Sequence, residues 1–395
     1  MLISVYFLYA SHIYLAPPPR VNTDLSYTLF IVYMAMQEDN SATRVSDDSH
    51  IHDARQPNEF KGDTFSKYKK ADVKKQLLSA LVKEKIEPAC YWSAEMVCAG
   101  QFIDIWEVIF LFLGKYVSMG NIRLAVYLEY RYSIFRNICT QQSEFSSDLK
   151  LRNHREIRKL FAEMMYVCCT SRQKNSVEVI KINRVEEFDI TQLSDRLKAT
   201  STDFVNGILK SKDPKEFTIP LNELGYQLTE RNTSMSCYWV EWMIEFDHFC
   251  RNTKKKPCAC EKREEYPVDS KLSRDSVWLV WDTIFKYVEI VARPPIIRTV
   301  LDALLQLFCV KYTTPVCRKR RYLLYFAVAL LTEPLDEMCT SQPLVRDSIM
   351  LETIVSRIDT TVYKQIKKNE VQSQMDYLYH NLQMERAMLD QTIGI

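Results

Sequence analysis

The chain has 395 residues, 47% of them hydrophobic, with 52 Lys and Arg set against 50 Asp and Glu. That length admits two or three domains, the apolar content excludes global disorder, and the balanced charge excludes an overall basic field for nucleic acid. Only 7 glycines and 14 prolines occur, too few breakers for the strand turns and phosphate loops of a typical βα enzyme.

Two N-terminal runs, residues 1–16 and 27–36, are apolar. Neither reaches the roughly 18 residues that span a bilayer. No Lys or Arg precedes Arg20, so the positive flank of a signal peptide is missing. Three readings stay open: a signal or anchor, translation that starts at Met34 or Met36, and an N-terminal extension. Residues 37–66 are rich in Asp, Ser, Asn and His, include His50 and His52, and predict a disordered linker.

From residue 67 onward the helical period dominates. Residues 69–85 place Val73, Leu77, Leu78, Leu81 and Val82 on one face. Residues 89–99 and 102–117 follow, broken at Gly100, and the second segment is apolar almost all round, as a central buried helix is. Segments 121–139 and 153–171 complete a first bundle. Residues 172–215 read as irregular, with short helices at 190–197 and 203–209. A second run is predicted at 221–229, 234–250, 273–291, 295–312 and 317–331, with prolines suited to helix starts. Two amphipathic tail helices are expected at 344–368 and 375–393. The fold class expected is all-α.

The strongest internal signal is a repeat. Cys90-Tyr91-Trp92 recurs as Cys237-Tyr238-Trp239. With 12 Cys, 22 Tyr and 6 Trp in the chain, roughly 0.01 such triplets are expected by chance. Trp106-Glu107 pairs with Trp281-Asp282, Ile122-Arg123 with Ile297-Arg298, and Phe161-Ala162 with Phe326-Ala327. Two tandem diverged helical bundles follow: residues 67–176 and 234–336, with an insertion at 251–272. Residues 1–66 precede them, 177–233 connect them, and 337–395 add C-terminal helices. The aromatics read as core, with each indole N–H expected to find a partner at the rim.

Many of the cysteines, among them Cys98, Cys139, Cys168, Cys169 and Cys309, sit inside apolar runs, where a thiol behaves as a small hydrophobe. A disulfide framework suits a shorter secreted chain, so a reducing compartment is expected. The one dense ligand cluster is His248, Cys250, Cys258 and Cys260, in the insertion. Zinc takes four such N and S ligands tetrahedrally, and the lysines nearby would favour thiolate. A structural zinc is therefore one reading of this loop, beside free surface cysteines and a local disulfide.

Lys254-Lys255-Lys256 and Arg318-Lys319-Arg320-Arg321 are short basic runs. The second is expected to open a helix, where the dipole disfavours cations. It is thus either a solvated helix end or a phosphate-contacting, nucleic-acid-binding patch. No phosphate loop, dinucleotide fingerprint, nucleophile elbow or His-Glu-x-x-His stands in the sequence, so no catalytic residues are assigned and a non-enzymatic protein is expected.

The segments that begin at Ala89-Cys90-Tyr91-Trp92, Ser236-Cys237-Tyr238-Trp239 and Leu323-Leu324-Tyr325-Phe326 resemble an uncharacterised helical protein family of nucleocytoplasmic large DNA viruses, the mimivirus-like relatives. The resemblance covers residues 67–395. It implies a scaffold or assembly protein of viral replication or morphogenesis, in host cytoplasm or the virion, with other viral proteins as partners and no membrane span. The order Tyr91-Trp92, Met96, Gly100, apolar helix and Lys174-Asn175-Ser176 is similar to the helical collar of clamp-loader-type ATPases. That similarity implies, as the alternative, an accessory replication or transcription factor.

Overall fold

A computed structural model describes residues 48–372 except 143–147, 185, 189–193, 254 and 342. Among them there is no β-strand, only an isolated bridge between Asp63 and Lys69, so the described part of the chain is all-helical as expected. The apolar N-terminal runs and the tail helix expected at 375–393 lie outside the described residues.

The first group of helices is α1 (Lys70–Val82), α2 (Ile86–Cys98), α3 (Phe102–Phe112), α4 (Arg123–Gln142) and α5 (Arg155–Thr170). Helix α1 buries Val73, Leu77, Ala80 and Leu81, the spacing of one helical face. Helix α2 lies against α1 and α5 and buries Ala89, Cys90 and every residue from Ser93 to Cys98. Helix α3 is central, as its apolar circumference predicts, and runs into a π-helical turn, Leu113–Val117.

The second group is α6 (Thr218–Thr229), α7 (Thr233–Thr253), α8 (Val277–Ile290), α9 (Pro295–Cys309), α10 (Thr314–Lys319) and α11 (Arg321–Thr332). Short helices α12 (Glu337–Ser341), α13 (Ser348–Ile358) and α14 (Lys364–Lys367) close the described chain. Helix α6 packs on α7 and α8, and α7 on α11. Helix α4 packs on α9, and α11 on the π turn. That second contact needs Gly114: a Cβ there would stand 2.6 Å from the Tyr322 carbonyl carbon, inside any real contact, so only glycine lets the two backbones meet.

Four helix ends, at Glu84, Gly100, Arg231 and Ala292, share one geometry, and two of them correspond along the chain. Helix α1 ends with Glu84 at φ 57°, and Lys85 N–H donates to the Ala80 carbonyl at 2.9 Å. Helix α6 ends with Arg231 at φ 56°, and Asn232 N–H donates to the Gln227 carbonyl at 2.9 Å. Both are left-handed caps with the six-to-one hydrogen bond of a Schellman motif. The displacement along the chain that carries Cys90 onto Cys237 also carries Glu84 onto Arg231 and Ala80 onto Gln227.

The described part of the expected linker is ordered. Ile51, Phe60 and Phe65 are buried. Ala54 N–H donates to the Val371 carbonyl, and Asp53 accepts from Arg55 and from Val371 N–H. Arg158, completely buried on α5, donates to the Ser49 and Arg152 carbonyls, to Asn153 and to Asp359, with its guanidinium 4.0 Å from the Tyr363 ring centre. Polar composition concealed three apolar anchors, and three arginines supply donors to the segment's carbonyls, Arg158 to Ser49, Arg152 to Asp53 and Arg55 to Phe65.

The expected rim partners of the tryptophans are absent for three of them. Trp106, Trp239 and Trp281 are fully buried, and none of their indole N–H groups has a hydrogen-bond partner. Packing area outweighs the desolvation of a single N–H at these positions.

Candidate functional site

The second half of α7 turns one face towards the start of α8 and towards α10. Met243, Ile244, Asp247, His248 and Arg251 recur at helical spacing and line a cleft of about 540 Å³ with Val277, Val280 and Arg318. Its floor is apolar and its wall is ionic. Asp247 accepts from Arg251 Nε at 2.6 Å and from Cys258 N–H at 3.0 Å. Asp275 accepts from Arg251 at 3.0 Å, from the Tyr312 hydroxyl at 3.0 Å and from the Thr314 hydroxyl at 2.7 Å. Burial and the neighbouring carboxylate hold the Tyr312 phenol in its neutral, donating form.

Glu245 sits between two guanidiniums, with Arg184 Nη2 at 2.6 Å and Arg318 Nε at 2.9 Å. Burial pushes its acidity down, but the hydrogen bond from Arg184 and the field of Arg318 overcome this and keep it a carboxylate below the ordinary range. His248 stands against the same two arginines: Nδ1 is 3.2 Å from Arg184 Nη2, and Nε2 is 3.2 Å from Arg318 Nη1 and 2.8 Å from Asn252 Nδ2. Burial, then Arg318, lower its pKa, so the ring is neutral at pH 7.

The basic run is divided between the interior and the surface. Arg318 and Lys319 end α10, Arg320 joins it to α11, and Arg321 opens α11, where one continuous helix was expected. Arg318 pairs with Glu245 and Arg321 with Glu241 at 2.6 Å. Arg320, buried, donates to Glu107 at 2.5 Å and to the Phe308 carbonyl at 2.6 Å. Within the run only Lys319 is exposed with no carboxylate partner among the described residues. The cation-unfriendly helix start read from the sequence is answered by internal carboxylates at Arg320 and Arg321, while half-exposed Arg318 and exposed Lys319 still face solvent. Lys254 lies outside the described residues.

The predicted zinc ligands do not converge. Cys250 and Cys260 are buried, Cys258 is half-buried, and Cys258 lies beside Cys250. Cys260 Sγ faces the Cys258 carbonyl at 3.8 Å, while His248 faces the arginines. Among the described residues no three His, Cys, Asp or Glu side chains group to hold a metal ion. Burial holds the Cys258 and Cys260 thiols protonated, against the thiolate expected from nearby lysines.

What orders the insertion is Arg263, which sequence reading passed over. Its side chain is wholly buried and donates to both oxygens of Asp213 at 2.5 Å, to Asp282 at 3.0 Å and to the Glu261 carbonyl at 2.7 Å. Tyr266 donates to Asp282 at 2.6 Å and stacks on Trp278 with ring centres 4.6 Å apart. Arginine in a polar loop looks like any solvated charge, and its burial depends on Asp213, which is distant in sequence. No family model, curated protein or solved structure matches this chain.

Proposed function

We propose that this chain is a non-enzymatic helical scaffold made of two diverged copies of one unit, α1–α5 and α6–α11, that holds other proteins in an assembly. One observation carries the reading: the matched left-handed caps at Glu84 and Arg231 stand at the same displacement as the two Cys-Tyr-Trp segments. The unit is then larger than the repeat read from sequence, because α6 belongs to the second copy and not to a connector. Further support comes from packing order: α1 lies on α2 and α3, and α6 on α7 and α8; α2 meets α5, and α7 meets α11. Trp106 and Trp281 are both fully buried with unpartnered indoles. Beside the start of α3 lies a cleft of about 540 Å³ that includes Gln101 and Phe102, the counterparts of Ser276 and Val277 in the cleft beside α8.

Ionic groups in the second copy serve helix-to-helix fixation. Arg263, Arg320 and Arg321 each tie separate segments through carboxylates. Buried pairs of this kind add registry rather than large net stability. The viral resemblance supplies the setting we propose, replication or morphogenesis of a large DNA virus.

Native mass spectrometry of the tagged protein from the cells that make it tests this reading. The expected result is a complex of fixed stoichiometry; a chain that is monomeric and alone throughout overturns it. The accessory nucleic-acid reading is tested by a salt titration of duplex DNA binding, where several phosphate contacts would give a steep slope. Arg320 and Arg321 are paired internally, so any such contact falls to Arg318 and Lys319.

A further inference from the structure

We infer that the cleft between α7, α8 and α10 is a binding site for a small amphiphilic carboxylate, with its anionic head at His248, Arg318 and Lys319. Neutral imidazole has one N–H and one acceptor nitrogen. Both nitrogens of His248 face donors: Arg184 at Nδ1, Arg318 and Asn252 at Nε2. If Nδ1 accepts from Arg184, then Nε2 carries the proton and points it at the Arg318 guanidinium. The Asn252 amide can rotate to offer its oxygen to that proton, which still leaves Arg318 Nη1 without an acceptor. If Nδ1 carries the proton, it meets the Arg184 guanidinium instead. Every assignment leaves one N–H of the cluster without a protein acceptor, on the half-exposed side of Arg184 or Arg318, where an incoming anion can reach it.

Charge points the same way. Glu245 serves both Arg184 and Arg318, with Arg321 3.8 Å away, and Lys319 has no carboxylate partner among the described residues. Asp247 and Asp275, the acids of the cleft, share the single Arg251, so the net surplus of the cleft is the one cation of Lys319. A single anionic group placed among Arg318, His248 and Lys319 would accept the surplus N–H and neutralise the surplus cation. The other wall sets the rest of the ligand. Met243, Ile244, Val277 and Val280 line the cleft, so the body beyond the head is apolar. A volume of about 540 Å³ lies within the range of small-molecule sites, which are mostly apolar with a few convergent polar groups. The inference does not depend on the scaffold reading.

Isothermal titration of the full chain with decanoate, decanol and inorganic phosphate tests the proposal. Decanoate should bind about tenfold or more tightly than decanol, the scale of one charge-assisted hydrogen bond, and inorganic phosphate should bind more weakly than decanoate. Lys319→Glu, at an exposed side chain without a partner, should leave folding unchanged and weaken decanoate by about tenfold. His248→Phe, which keeps the ring and removes the donor, should weaken it too. Decanoate and decanol binding equally, phosphate binding as well as decanoate, or Lys319→Glu binding decanoate as the parent does, would each overturn the proposal.

Discussion

Glu84 and Arg231 adopt the same left-handed backbone, φ 57° and 56°, each at the end of the helix that precedes a Cys-Tyr-Trp segment. A side chain in that region costs about 1–2 kcal/mol, and glycine relieves it at the expense of extra freedom in the unfolded chain. Glu84→Gly and Arg231→Gly should each raise stability by about 0.5–1 kcal/mol, read as a shift of the urea midpoint at constant slope. If one stabilises and the other destabilises by as much, the two caps are not equivalent and the duplication loses its main support.

Much of the helical frame was legible because burial and period coincide. Helices α2, α3, α8 and α9 have apolar residues at nearly every inward position, so their starts fell within a few residues of expectation. Three features were not legible, for related reasons. The break at Arg320 depends on Glu107, on a helix of the other group. The order of residues 48–66 depends on Arg158 and Val371. The cleft depends on α7, α8 and α10 meeting. Each is a long-range pairing of polar groups, and periodicity reports only which face is apolar, not which carboxylate an arginine will find.

Arg320 and Glu107 form a bridge between the two helical groups, with the guanidinium 5.0 Å from the Phe110 ring centre. Arg320→Met should destabilise by about 3 kcal/mol, because Glu107 and the Phe308 carbonyl lose a buried partner. Adding Glu107→Gln should recover part of the loss. A double-mutant cycle by chemical denaturation measures the coupling. Additive single effects would mean that the pair carries no energy across the two groups.

Arg263, and not a metal, should hold the insertion. Arg263→Met leaves Asp213 buried without its cation, a loss of about 3–5 kcal/mol where such a charge stays uncompensated. Local opening should then make Cys258 and Cys260 react faster with a thiol reagent, while a chelator leaves the thermal midpoint of the parent protein unchanged. A midpoint that falls with chelator and returns with zinc would restore the metal reading.

Acidification should weaken the fold through two histidines. His154 is lowered by burial, offset in part by Glu156. His248 is lowered by burial and then by Arg318, with Arg184 adding and Glu245 and Asp247 opposing. A histidine whose folded pKa lies below its unfolded value, about 6.5, is favoured neutral in the fold. Its contribution is complete above the unfolded value and is lost as pH falls through 6.5 towards the folded pKa, since the unfolded chain then binds the proton first. Stability measured by urea denaturation should therefore decline from pH 7.5 to pH 5. In His248→Phe the decline should be shallower, with His154 supplying the remainder. A profile for His248→Phe that is parallel to the parent's would show that Arg184 and Arg318 do not oppose a charge on this ring.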